Sequence, residues 1–232
     1  MSILKTLADL GLEADETCLG RFEIYRSLLR EWNAKMDLTN VGEAEWDERH
    51  FADSLLPLRA IKDVRGSLAD VGTGAGFPGL PLSICLPQLQ VTLIEAQEKR
   101  CAFLRECVSK MELENVTVHC LRAEDAGRGP LREQFDFAVA RAVAPLNVLF
   151  EYLLPLVRTG GQAVCWKGPK AAEEMPDGRA SARLLGGNEP VLLSLDAAWG
   201  ERCAVVVTKN TPTDAKYPRK NGIPAKRPLK AQ

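Results

Sequence analysis

The residues whose types and spacing best suit chemistry lie in Asp70-Val-Gly-Thr-Gly-Ala-Gly-Phe-Pro-Gly79. This segment follows a short apolar run, LADV at 68–71. Gly72, Gly74 and Gly76 alternate with other residues, so the chain can turn tightly and a ligand can come close to its backbone. Glu95 ends the next apolar run, 21 residues beyond Gly74. A carboxylate there can accept hydrogen bonds from ribose hydroxyls. The competing role for Glu95 is a solvated acid opening the following helix, worth ~0.3–1 kcal/mol through the helix dipole.

Two ligand classes share this loop. Gly74, Gly76 and Gly79 satisfy the G-x-G-x-x-G of dinucleotide binders. Asp70, Gly72, Gly74 and Gly76 satisfy the D-x-G-x-G-x-G typical of the first motif in class I S-adenosylmethionine-dependent methyltransferases. A dinucleotide would set a pyrophosphate at the helix N-terminus, whereas adenosylmethionine brings an amino-acid moiety, a sulfonium and an adenosine. In the second class the stretch after the third strand meets the adenine, which marks Ala123 and Glu124 as candidate cofactor contacts. Phe77 either packs against the cofactor or fills the loop. There is no G-x-x-x-x-G-K-[ST] phosphate loop, no Tyr-x-x-x-Lys pair, no Asn/Asp-Pro-Pro-Tyr/Phe motif and no Pro-Cys dipeptide. Nucleotide hydrolysis, short-chain dehydrogenation, and methylation of exocyclic amines or of carbon 5 are therefore disfavoured.

These residues need a scaffold, and the apolar pattern supplies one. The first ~65 residues read as helical, with Phe22, Tyr25, Leu29 and Trp32 at three- and four-residue steps. A second helical stretch is expected over 46–58. From Ser67 onward, short apolar runs alternate with amphipathic segments. Strands are expected near 68–71, 91–94, 116–121, 135–140, 161–166, 190–195 and 203–208. Such alternation predicts an α/β fold with a mostly parallel, doubly wound, Rossmann-like sheet. The expected organisation is a helical subdomain over 1–60, a cofactor-binding domain over 61–210 and a basic tail over 211–232.

The chain has 232 residues, 46% hydrophobic and 26% charged, as in an ordinary soluble globular protein. No apolar run approaches the ~20 residues of a membrane span, and the first residues do not read as a secretory signal. Seven cysteines without a C-x-x-C pair suggest a reduced, cytoplasmic setting. His50 and His119 lie far apart, so no metal site is expected. From Lys209 to Gln232 seven basic residues face one acid, although the whole chain is nearly neutral. With three prolines interleaved, Lys216, Arg219, Lys220, Lys226 and Arg227 are expected on a stiff, extended strip that contacts an RNA backbone. Docking of that strip onto the acidic body is the alternative.

Longer blocks carry a more specific resemblance. DVGTGAGFPGLPLSI at 70–84 resembles the family of ribosomal RNA small subunit methyltransferase G. Trp32-Asn33-Ala34-Lys35-Met36-Asp37-Leu38-Thr39 is similar to its W-N-x-K-x-N-L-T, with Asp37 where asparagine is usual. Arg49-His50-Phe51-Ala52-Asp53-Ser54-Leu55 resembles its R-H-F-x-D-S-L, and Arg141-Ala142-Val143-Ala144-Pro145-Leu146 its R-A-V-A-x-L. Lys167-Gly168 follows the fifth strand as in the family, and residues 217–229 match its Y-P-R-K-x-G-x-P-x-K-[KR]-P-L ending. The resemblance implies methyl transfer from S-adenosyl-L-methionine to N7 of one guanine, guanine 527 of 16S rRNA, in the small ribosomal subunit. It also implies that Gly72, Gly74, Gly76, Phe77, Glu95, Ala123, Glu124 and Arg141 serve the cofactor. Arg141 is the candidate catalytic residue, fixing either cofactor or target base, with an ion pair to Glu124 or Asp125 as its structural alternative. His50 and Asp53 would pin the helical segment over the site, and a structural histidine is the default for His50. The rival readings are a nicotinamide-dependent oxidoreductase and a non-catalytic RNA-binding module.

Overall fold

The computed structural model describes residues 3–59, 61, 64–195, 197 and 199–231. Two helices open the chain, α1 (Ile3–Asp9) and α2 (Glu16–Asn33). Asp15 starts α2 by accepting the Cys18 N–H at 2.7 Å, which satisfies one of the orphaned donors of the first turn. Phe22, Tyr25 and Leu29 share its buried face, as the periodicity predicts. The helical stretch expected over 46–58 is a composite: a π-helical turn Asp47–Ala52, α3 (Asp53–Leu55) and a 3-10 turn Leu56–Arg59. Pro57 lacks the N–H that an α-helix would use here, so the tighter turn replaces it.

Strands and helices then alternate: β1 (Gly66–Val71), α4 (Gly79–Cys85), β2 (Leu89–Glu95), α5 (Glu98–Lys110), β3 (Val116–Cys120) and α6 (Ala123–Arg128). They continue as β4 (Phe135–Arg141), α7 (Leu146–Leu153), β5 (Val157–Lys167), α8 (Ala171–Leu184), β6 (Val191–Leu195), β7 (Arg202–Thr208) and the short α9 (Ile223–Lys226). All seven expected strands are present. The sheet order is β3-β2-β1-β4-β5-β7-β6, and only β7 runs against its neighbours. The doubly wound architecture stands. Strand β5 starts four residues before the expected 161 because Gly160-Gly161 reads as a turn. A Cβ on Gly161 would lie 2.5 Å from the Asp136 carbonyl oxygen, so only glycine lets β5 approach β4 there.

Both faces of the sheet are covered, which explains its nearly continuous apolar strands. One layer packs Phe22, Tyr25 and Phe51 with Leu80, Leu93 and Phe103. The other packs Leu149, Phe150 and Leu153 of α7 with Met175 and Ala182 of α8.

The C-terminal segment departs from the extended strip expected of it. Tyr217 and Pro224 are buried, and Arg219 turns inward to Glu151, which is fully buried on α7. Arg219 donates to that carboxylate from its backbone N and from Nε, each at 2.8 Å. Arg128 and Arg132 hold the same segment by its Arg219 and Tyr217 carbonyl oxygens, both at 2.7 Å. A charge count cannot see the apolar surface that Tyr217 and the prolines bring, and that surface favours docking. Lys216, Lys220, Lys226 and Arg227 remain exposed.

Candidate active site

Parallel neighbours β1, β2 and β4 bring their carboxyl ends together, and ligands of doubly wound sheets bind at that edge. The glycine loop leaves β1 there. The Gly72 N–H donates to the Ile94 carbonyl at 2.8 Å, which stitches the loop to β2. Glu95 accepts the Gly74 N–H at 3.0 Å on Oε2 and the Gln97 N–H at 2.9 Å on Oε1. It is buried, not solvated. A carboxylate offers about four lone-pair sites, so two backbone donors leave room for ligand hydroxyls. Gly74 has φ +60°, and a Cβ there would find nothing closer than 4.0 Å. The loop is therefore open above Gly74 and closed by packing elsewhere. Beneath it, Asp70 Oδ2 accepts the Thr73 hydroxyl at 2.6 Å and the Gly79 N–H at 2.8 Å, while its buried Oδ1 has no partner among the described residues. Burial pushes the Asp70 carboxyl up to about 6, against those two donors.

A cradle that carries the Glu95 carboxylate fits adenosylmethionine, whose ribose hydroxyls and amine are donors. Ala123 opens α6 after Arg122, without a side-chain cap on the first turn, so its backbone face can meet a base edge. Glu124 is directed elsewhere: its Oε1 accepts the Gly222 N–H at 2.7 Å and so holds the C-terminal segment. Phe77 fills the loop. Its ring stacks on His50 at 4.4 Å and contacts Tyr25 at 5.4 Å. The Tyr25 hydroxyl also donates to the Ala75 carbonyl, tying α2 to the glycine loop.

Beside the cradle, at the ends of β4 and β5, opens a cleft of about 580 Å³. Arg141, paired in register with Trp166, projects from the end of β4 with its guanidinium 4.9 Å from the Phe77 ring centre. It donates to Asp53 Oδ2 at 3.0 Å, so its ion-pair partner is Asp53, not Glu124 or Asp125. Asp53 also accepts from Arg202 Nε at 2.6 Å and from the Trp199 indole at 3.3 Å. One carboxylate thus joins β4, β7 and the N-terminal helical segment. Ala142 follows with φ +56°, a left-handed conformation that costs a non-glycine residue ~1–3 kcal/mol and clusters at functional sites. Lys167 and Glu174 form the far wall, paired at 2.7 Å, with Arg49, Lys170 and Arg202 nearby.

Known proteins resemble this chain over most of its length. The sequence model of rRNA small subunit methyltransferase G matches residues 19–199. Ribosomal RNA small subunit methyltransferase G of Pelotomaculum thermopropionicum is 45% identical over 226 residues, covering 95% of each chain. The chain belongs to the ribosomal RNA small subunit methyltransferase G family. The Alkaliphilus oremlandii protein of the same name is 42% identical over 227 residues, again covering 95% of each chain. Among solved structures, P. horikoshii TYW2 in complex with MeSAdo superposes with a TM-score of 0.53 at 14% identity. The match covers 69% of this chain and 63% of that one, and it shows the fold.

Two blocks that mark the methyltransferase G family, R-H-F-x-D-S-L and R-A-V-A-x-L, meet at the Asp53–Arg141 pair. Sequence reasoning named both residues but missed Trp199, Arg202 and Glu174. Trp199 and Arg202 meet Asp53 from 146 and 149 residues away, whereas Glu174 pairs with the nearby Lys167 across the turn that leads into α8. Thr39, the last residue of the tryptophan-asparagine block, places its hydroxyl 2.6 Å from His50 Nε2.

His50 matches its structural default, with both ring nitrogens occupied. Burial, and after it the nearby Arg141 charge, lower its pKa to about 4. Unfolded, the ring titrates near 6.5, so between about pH 4 and 6.5 only the unfolded chain takes the proton. This contribution to stability is present above pH 6.5 and lost as pH falls toward 4. The stability advantage of the wild type over His50→Gln should shrink by on the order of 3 kcal/mol across that window. Urea unfolding of both proteins at pH 7 and pH 4 measures it. A gap independent of pH would place the ring in water.

Proposed function

We propose that this protein transfers a methyl group from S-adenosyl-L-methionine to N7 of a single guanine, guanine 527, of 16S rRNA in the small ribosomal subunit. The observation that carries this reading is a glycine loop bonded to Glu95 whose Phe77 lies under Arg141, a residue that also lines a cleft with more cationic than anionic side chains. Guanine N7 has a lone pair and no proton, so the reaction asks for orientation and dryness. When bound, adenosylmethionine supplies a methyl carbon that the N7 lone pair takes as the carbon–sulfur bond breaks, leaving a neutral thioether and a cationic base. Orientation of this kind can supply up to ~7–11 kcal/mol.

The residues divide the work. Gly72, Gly74 and Gly76 form the cradle, Glu95 accepts the ribose hydroxyls and the backbone at Ala123 meets the adenine. Phe77 backs the loop, and Glu124 anchors the C-terminal segment behind it. Arg141, held by Asp53 and resting on Phe77, aligns the target base. Residues 61–210 are the catalytic unit in this reading, and the helices of 1–60 close the site from above. Exposed Lys216, Lys220, Lys226 and Arg227 are assigned to the rRNA backbone. Seven free thiols and an rRNA substrate support a cytoplasmic setting in this reading.

The decisive experiment incubates the protein and labelled cofactor with small subunits from a strain lacking the modification, then maps the label. Label at N7 of one guanine is expected. Label on another atom or base, or none, overturns the reading. Glu95→Ala should separately weaken adenosylmethionine binding by roughly ten- to a hundredfold, the value of hydrogen bonds to a charged acceptor. Calorimetry reads this directly, and an unchanged dissociation constant would remove Glu95 from the cofactor site.

A further inference from the structure

N7 by itself cannot single out guanine, because adenine carries the same acceptor at the same place. A base taken out of its stack is read along its Watson–Crick edge, where guanine presents two adjacent donors, N1–H and the 2-amino group. Resting on the function proposed above, we propose that Glu174 is the specificity-determining residue and accepts from that edge.

Glu174 lines the cleft and divides its two oxygens between tasks. Oε2 accepts the Leu146 N–H and forms an ion pair with the Lys167 ammonium, each at 2.7 Å. Oε1 takes no hydrogen bond from the described residues. The other carboxylate of the cleft, Asp53, is spent on both oxygens, on Arg141 through one and on Arg202 and Trp199 through the other.

Position agrees with chemistry. Lys167 also donates to the Ala144 carbonyl at 3.2 Å, so Glu174 is fastened twice to the stretch 141–146 that follows β4. The glycine cradle leaves β1, on one side of β4, whereas Glu174 is paired with Lys167 at the end of β5, on the other side of β4. A guanine whose N7 faces the cradle turns its Watson–Crick edge toward that far wall. The Leu146 and Lys167 contacts fix the carboxylate, so Oε1 is presented to the base without a rotamer search.

The test compares guanosine with inosine, which keeps N7, O6 and N1–H and lacks only the 2-amino group. Small subunits are reconstituted with 16S rRNA carrying either nucleoside at the target position. Wild-type enzyme should prefer guanosine by roughly ten- to a hundredfold in kcat/KM, the discrimination typical of one good base contact. In Glu174→Gln the amide oxygen can keep the Leu146 N–H, so its NH2 group meets the donors of the base. That preference should collapse to within about threefold of unity, with the loss falling on guanosine. Glu174→Ala should collapse it too, and it decides the matter if the glutamine variant misfolds. Melting temperature and adenosylmethionine affinity report on folding in both. If the variants slow both substrates equally and keep the preference, Glu174 merely holds the loop and the proposal fails. It fails as well if the wild type does not distinguish the two nucleosides. Absence of wild-type methylation on the guanosine subunit would overturn the underlying function instead, and this inference with it.

Discussion

Arg219→Ala should melt on the order of 10 °C below the wild type. Glu151 is fully buried on α7, and Arg219 supplies its backbone N–H, Nε and NH2 as donors. Removing the guanidinium leaves that carboxylate, among the described residues, with a single backbone donor and no ion-pair partner. Breaking a buried pair in this way costs ~3–5 kcal/mol, more than the pair itself contributes over an apolar substitute. A Glu151→Leu/Arg219→Leu double variant should therefore recover much of the loss. Thermal unfolding of the three proteins checks both statements. An unshifted midpoint in Arg219→Ala would mean that the C-terminal segment does not dock in solution.

Gly74→Val should lose more than a hundredfold in adenosylmethionine affinity while staying folded. A Cβ at Gly74 meets nothing closer than the Gly72 carbonyl oxygen at 4.0 Å, so the valine methyls would occupy space that the ligand needs. The backbone conformation adds a penalty of ~1–2 kcal/mol for a side chain at positive φ. That penalty lowers the melting temperature by only a few degrees, about 2–4 °C per kcal/mol. Calorimetric titration beside a melting curve separates the two effects. A variant that binds normally would show that the ligand does not lie over this loop.

The positions of the strands were legible in the sequence because each is a short apolar run bounded by turn residues, whereas their order in the sheet was not. The π-helical turn at Asp47–Ala52 was not, since its side-chain pattern does not distinguish it from an α-turn. Candidate residues on the loop and strand ends were legible because their spacing is itself the signal. Partnerships were not. The structural alternative for Arg141 paired it with Glu124 or Asp125, yet the fold gives it Asp53, while Glu124 turns to Gly222. Arg219 read as a phosphate contact because charge was counted without the burial of Tyr217 beside it. Such pairings depend on contacts across the fold, and a linear pattern does not carry them.

The charge balance of the cleft bears on turnover. Arg49, Arg141, Lys167, Lys170 and Arg202 outnumber Asp53 and Glu174 in its lining. That surplus attracts a phosphate-bearing strand toward the site. In the proposed reaction the base enters neutral and ends with a positive charge, and the same surplus then opposes its stay. Product departure thus gains a push from the very charges that recruited the substrate, and the modified nucleotide becomes a poorer occupant than the one it replaced.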